Sequence, residues 1–248
     1  MIIVGDIGNT KTKILLINKN NRILKKIHLD TSMINSNTIK KSISTFNIKN
    51  NPIEKILFCS VVPKTFKIIK LILEKKYMLK CYELKNLNLS RLIKIKVNYK
   101  QIGSDRLANA ISIINNKDNF IVLDFGTATT FDVVIKNTYY GGVIAPGVKL
   151  SLETLTKKAT LIPNINLKKI TKVIGSNTIN AVRSGFFWGY TGLIDNIINL
   201  IKKETNKSFK IILTGGFSNL FKDSINRKIL QNREITINGL IKASKLIR

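Results

Sequence analysis

Residues 120–145 read FIVLDFGTATTFDVVIKNTYYGGVIA. An apolar run, 120–124, ends in a glycine turn at 125–128. A second run, 129–135, is followed by Lys136-Asn137 and by a third, 138–145. Short apolar runs closed by Gly, Asn and Thr read as strands and tight turns, so the segment predicts a three-strand meander. The N-terminus repeats the plan: IIVGD, a turn at Gly8-Asn9-Thr10, KILLI, a break at 18–21, then RILKKI. The acidic turns at Asp6 and Asp124 lie 118 residues apart, close to half of 248. One such turn is a weak signal; the same meander twice at half-chain spacing predicts a duplicated unit.

Working outward, 56–61 (ILFCSV) reads as a strand, 64–76 as a helix and 78–84 (MLKCYEL) as a strand. A helix over 103–116 leads to the junction. The second half continues with a long helix over 177–204, a strand and turn at 210–216 (KIILTGG), and a helix to Leu246. Mixed strands with crossover helices predict a three-layer α/β fold in each half, with domains 1–117 and 118–248. Paired halves make a cleft, where ligands usually bind, and both acidic turns are expected to face one ligand there.

Composition narrows the functional classes. The chain carries 42 Lys and Arg against 14 Asp and Glu, a formal net charge of +28. That charge invites a nucleic-acid reading. However, 35 of the 42 are Lys and only 7 are Arg, scattered among Asn and Ile in every segment rather than along one stripe. Base and phosphate readers favour the planar Arg fork, so no nucleic-acid partner is expected. No apolar stretch reaches the roughly 18 residues of a membrane span. Asp6 interrupts what would be the apolar region of a secretory signal, so a cytoplasmic location is expected. Cys59, Cys81 and the single His28 supply neither a disulfide framework nor a zinc site. Acids are scarce, and Asp6, Asp105, Asp124 and Asp132 fall inside glycine-containing blocks.

In the first block Gly8 would let the backbone approach a phosphate, Asn9, Thr10 and Thr12 offer donors and Lys13 a cation. Asp6 can hold Mg²⁺ directly or through water, although a β-turn without a ligand is the plain alternative. The second block, DFGTATTFD at 124–132, repeats this chemistry with three threonines. The third, Gly103-Ser104-Asp105-Arg106, opens a helix. Asp105 there either complements the helix dipole or accepts a hydroxyl proton beside a guanidinium that orients an anion. Three further turns follow: 139–147 (YYGGVIAPG), 174–178 (IGSNT) and 213–218 (LTGGFS). The helix after 174–178 carries Gly185, Gly189 and Gly192 beside Phe186, Phe187 and Trp188, a flat face suited to core or dimer contact.

Taken in order, these blocks resemble the type III pantothenate kinases, of the acetate and sugar kinase, heat-shock chaperone and actin superfamily. The resemblance rests on D-x-G-N-T at 6–10, G-x-D-R at 103–106, D-x-G-T-A at 124–128, G-G-x-I-x-P-G at 141–147, I-G-x-x-T at 174–178 and T-G-G at 214–216. It implies duplicated ribonuclease-H-like (actin-like ATPase) domains, each a mixed sheet flanked by helices, with the active site in the cleft. It implies that ATP with Mg²⁺ phosphorylates the primary hydroxyl of pantothenate to 4′-phosphopantothenate, the first step of coenzyme A biosynthesis. Another small-molecule kinase of the superfamily, or a regulator derived from it, is the alternative.

Residue by residue, Asp105 matches the proton acceptor, and Gly103, Ser104, Asp105 and Arg106 match the pantothenate segment. Asp6, Ile7, Gly8, Asn9, Thr10, Lys11, Thr12 and Lys13 match the ATP phosphate segment, and Thr127 a further ATP contact. Asp124 matches the site of a monovalent cation, K⁺ or NH₄⁺. Thr178 matches a pantothenate contact made across a homodimer interface. Two departures stand out: Ser104 replaces the usual Ala, and Tyr99 lies nearer G-x-D-R than the family's substrate-contacting Tyr.

Overall fold

The computed structural model describes residues 1–46, 52–225 and 227–247. They form two compact units. The first comprises Met1–Ile114, Asn137–Tyr139 and Glu234–Arg248; the second comprises Asn115–Lys136 and Tyr140–Arg233.

In the first unit, β1 (Ile2–Ile7), β2 (Lys11–Ile17) and β3 (Ile23–Asp30) form the expected antiparallel meander. After α1 (Ser36–Ser44), β4 (Lys55–Ser60) lies parallel to β1. After α2 (Pro63–Tyr77), β5 (Cys81–Glu83) lies parallel to β4, giving the order β3-β2-β1-β4-β5. Alternation along β1 sends Ile3 and Ile7 into a core with Ile39 and Ile43 of α1 and Ile69 and Leu73 of α2. Asp6, between them in the pleat, faces the opposite way. There the sheet meets α3 (Ser104–Ile113) and α7 (Ile235–Ala243). Those helices approach so closely that a Cβ on Gly239 would lie 1.8 Å from the Ala108 carbonyl oxygen. Thr236 Oγ1 shares a 2.7 Å hydrogen bond with Asn109 Oδ1, and Lys242 Nζ donates to the Ile114 carbonyl.

The second unit repeats the topology. The strands β7 (Asn119–Phe125), β8 (Ala128–Ile135) and β9 (Thr138–Pro146) make the meander, and β10 (Lys210–Gly215) and β11 (Ile229–Gln231) run parallel to β7. The order is β9-β8-β7-β10-β11, with the short β6 (Lys94–Ile95) on the first residues of β9. Between β9 and β10 run α4 (Val148–Lys158) and α5 (Thr178–Thr205). Phe187, Ile194, Ile198 and Ile201 of α5 form one helical stripe that buries against Ile121, Leu123, Phe125 and Phe131. At about 1.5–3 kcal/mol per buried side chain, this stripe is what holds the helix on the sheet.

Three expectations need correction. The strand expected over 78–84 is only Cys81–Glu83, because Met78 caps α2 in the left-handed region (φ 53°). The helix expected to run on to Leu246 is broken into α6 (Ser218–Phe221), β11 and α7. The helix expected over 103–116 is α3, ending at Ile113. Among the described residues, no helix is long and apolar enough to cross a membrane.

Candidate active site

Both meanders turn at the carboxyl ends of parallel strands, where open α/β sheets bind ligands. In the first unit, Asp6 sits across the ladder from Lys13 on β2 and from Cys59 on β4. Cys59 Sγ lies 3.5 Å from Asp6 Oδ1 and donates to it. The turn is closed by the Gly8 N–H on the Lys11 carbonyl (3.0 Å), and it is braced from the turn just after β3: Thr31 Oγ1 donates to the Gly8 carbonyl and shares a hydrogen bond with Thr12 Oγ1. Thr12 is therefore buried with its hydroxyl turned inward, while Asn9 and Thr10 are exposed at the tip. Lys11 forms an exposed ion pair with Asp30.

Asp105 occupies the first turn of α3, and its Oδ1 accepts from the Arg106 backbone N–H at 2.9 Å. A Cβ on Gly103 would lie 2.5 Å from that oxygen, so glycine is what lets the carboxylate fold back over the helix start. Burial raises the Asp105 pKa above the ordinary carboxylate range, against the opposing pull of the Arg106 N–H and guanidinium. Asp6 is pushed up to about 6, first by burial and then by the negative charge of Asp105, with Lys13 and Cys59 partly compensating. The first and third blocks thus meet within one unit as a pair of interacting carboxylates. Burial and the same two carboxylates drive the Cys59 thiol well above its usual pKa, so it stays protonated. Cys81 is also buried and free, and His28 lies along β3 opposite Lys13.

In the second unit, Asp124 shares a rung with Thr130 on β8 and Thr214 on β10, so the three side chains project from one face. Gly215 adopts φ +83° beside Asp124, and a Cβ there would meet Asp124 Oδ1 at 2.6 Å. The turn at Gly126-Thr127 is pressed by Gly147, whose added Cβ would fall 2.1 Å from the Thr127 carbonyl oxygen. The second, fourth and sixth blocks therefore converge around Asp124. Gly126 itself is exposed, and its added Cβ would meet only ordinary contacts at 3.5 Å or more. The fold itself does not need glycine at 126. Thr178 stands exposed at the first position of α5, behind Asn177, whose side chain caps the helix through the Asn180 N–H.

Fit to a cation differs between the sites. The negative charge of Asp105 adds to the cost of ionising Asp6, which a divalent ion would relieve. Mg²⁺ typically takes one or two protein carboxylates plus substrate phosphates. Among the described residues there is no cluster of three or more acidic, His or Cys side chains that could cage a metal unaided. Beside Asp124, Thr130 Oγ1 is buried without a hydrogen-bond partner, an oxygen available to an ion. An open cavity of about 480 Å³ lies elsewhere in the first unit. It is lined by Leu89, Ile93, Lys94 and Ile95 among others, and contains none of the residues picked out by the motifs except the flanking Tyr99.

The family model for type III pantothenate kinase matches residues 2–200. A type III pantothenate kinase of Pelagibacter ubique (strain HTCC1062) is 70% identical over 248 residues, covering 100% of both chains. One from Sulfurihydrogenibium sp. (strain YO3AOP1) is 34% identical, covering 97% of this chain and 98% of that one. The ROK family glucokinase of Streptomyces griseus, solved with glucose and AMPPNP, superposes with a TM-score of 0.55 at 13% identity, covering 99% of this chain and 98% of that one. This last likeness concerns the fold.

Proposed function

This chain belongs to the type III pantothenate kinase family and is a pantothenate kinase, and on that premise we propose how its residues divide the reaction. Asp105 accepts the proton of the primary hydroxyl of pantothenate as that oxygen bonds to the γ-phosphorus of ATP. The bond to the β,γ-bridging oxygen breaks, releasing ADP and 4′-phosphopantothenate. A base need not be strong here, since the transition state is loose and positioning supplies most of the rate. Supporting this is the placement of Asp105, at the helix start, near enough to Asp6, at the strand end, for its charge to raise the Asp6 pKa.

Gly103, Ser104, Asp105 and Arg106 hold pantothenate, with Arg106 orienting an anionic group and Thr178 adding a contact. The segment from Asp6 to Lys13 binds the ATP phosphates, through the backbone where Thr12 and Lys11 are engaged elsewhere, and Thr127 adds a contact. Asp6 would hold Mg²⁺, which would supply charge neutralisation for the phosphates. A monovalent cation, K⁺ or NH₄⁺, is assigned to Asp124, with Thr130 as a neighbouring oxygen donor. The sequence duplication is read as 1–117 and 118–248, with the C-terminal α7 returning to pack in the first unit. A homodimer is supported by the exposed face of α5, where Gly185, Gly189 and Gly192 have open space at Cβ and Trp188 is 36% exposed. The cytoplasm, where ATP is made, is the assigned location, and no nucleic-acid partner is expected.

The test is pantothenate-dependent ADP release. Asp105→Asn is expected to lower kcat by about 10³-fold or more while ATP binding and the unfolding temperature stay near wild type. Retained turnover would remove Asp105 from the mechanism. For assembly, Gly189→Arg should turn a dimer into a monomer in sedimentation; an unchanged mass would discard the α5 face.

A further inference from the structure

Two side chains outside every motif grip the loop that delivers Asp105. Glu83, the last residue of β5, accepts from the Lys85 backbone N–H at 2.7 Å with one carboxylate oxygen and from the Ser104 hydroxyl with the other. Lys85 Nζ donates to the carbonyls of Lys100 (3.1 Å) and Ile102 (2.9 Å), just before Gly103. Tyr99 closes the lattice, its hydroxyl donating to the Lys85 carbonyl at 2.8 Å. The segment at 83–85 therefore holds the approach to α3 through a cation on backbone carbonyls and a carboxylate on its first side chain.

That first side chain matters because no N-cap side chain holds the start of α3. Its N-cap is Gly103, which offers no side chain, and Ser104 is only 2% exposed. A buried hydroxyl without an acceptor would be costly, and a charged acceptor makes the stronger class of hydrogen bond. Asp105 follows immediately, with one oxygen already tied to the Arg106 N–H. A small rotation of this turn redirects its remaining oxygen, and misplacement by about 1 Å can cost on the order of a hundredfold in rate.

We propose that Glu83 is a positioning residue for phosphoryl transfer: through Ser104 it fixes the first turn of α3 and hence the aim of the Asp105 carboxylate, with Lys85 steadying the loop behind it. The inference rests on the reading of Asp105 as proton acceptor. Nothing in the motif set points to Glu83, because its partner lies 21 residues away.

A double-mutant cycle with steady-state kinetics and thermal unfolding tests this. Glu83→Ala and Ser104→Ala should each lower kcat about ten- to a hundredfold while the KM for ATP stays within about threefold. Because both break one link, the double variant should be no more than about twofold slower than the slower single variant. Glu83→Gln should recover most of the rate, since its amide oxygen can accept from the Lys85 N–H and its nitrogen can donate to Ser104 Oγ. Multiplying effects in the double variant, or a lowered unfolding temperature with kcat intact, would overturn the proposal. If Glu83→Ala fails to fold, Ser104→Ala decides alone: wild-type kcat, or a loss confined to the KM for pantothenate, overturns it, and a lowered kcat with the KM values for ATP and pantothenate both held supports it. An inactive Asp105→Asn beside an additive cycle sinks only the positioning role, whereas an active Asp105→Asn sinks the reading beneath it.

Discussion

The turns at Asp6 and Asp124 end the same strand of the same five-stranded topology, yet their surroundings have diverged. Around Asp6 the chain places charge and side chains: a second carboxylate, the Lys13 cation, a thiol and a brace of threonine hydroxyls. Around Asp124 it places bare backbone at Gly126, Gly147 and Gly215, with Thr130 and Thr214 on the same rungs. A duplicated scaffold can thus keep its geometry while one copy specialises in reacting groups and the other in close approach. Fold repetition is carried by the buried strands, and function by the few residues past their ends.

The sharpest way to break that contrast is Asp6→Asn. We expect a loss of about a hundredfold or more in kcat/KM for ATP, because a neutral amide no longer attracts the cation that accompanies the phosphates. Next is Asp124→Asn, expected to cost roughly ten- to a hundredfold in rate and to abolish the difference between K⁺ and Na⁺ buffers. A K⁺ stimulation surviving this change would remove the cation from that turn.

Smaller effects separate fold from function within the second unit. Gly147→Ala forces a Cβ against the Thr127 carbonyl and should lower stability by about 1–3 kcal/mol in denaturant titrations. Gly126→Ala should leave that stability within about 0.5 kcal/mol but raise the KM for ATP several-fold. Equal destabilisation by both would show that 126 is glycine for the fold.

The smallest effect concerns the pH dependence of the ligand-free protein. Asp6 is raised from 3.8 to about 6, so the folded state holds its proton more tightly than the unfolded chain. Its contribution to stability is fully present below pH 3.8 and is lost as pH rises through about 6. At pH 8, Asp6→Asn should therefore raise the unfolding temperature by a few degrees even as it removes activity. A lowered temperature would show that the ionised carboxylate is stabilising there.

The meanders were legible because strand alternation and glycine turns are local signals, and both recur at Asp6 and Asp124. The grouping of blocks by function was legible through their order. What sequence could not supply was partnership at a distance. Thr12 reads as a phosphate donor until Thr31 is found against it, and Glu83 reads as an anonymous strand residue until Ser104 is found against it. The left-handed Met78 and the break in the C-terminal helix are not legible because no glycine or proline stands at 78 or within 222–234 to mark them.

The close seat of Gly239 on Ala108 has a consequence for biogenesis. The helix bearing Asp105 is translated less than halfway through the chain, but its partner emerges from the ribosome only after the whole second unit. The nascent first unit must wait with that apolar helix surface uncovered, so chaperone occupancy during synthesis should persist until the last residues are released. A stop codon before residue 235 should then yield an insoluble product rather than a weak enzyme.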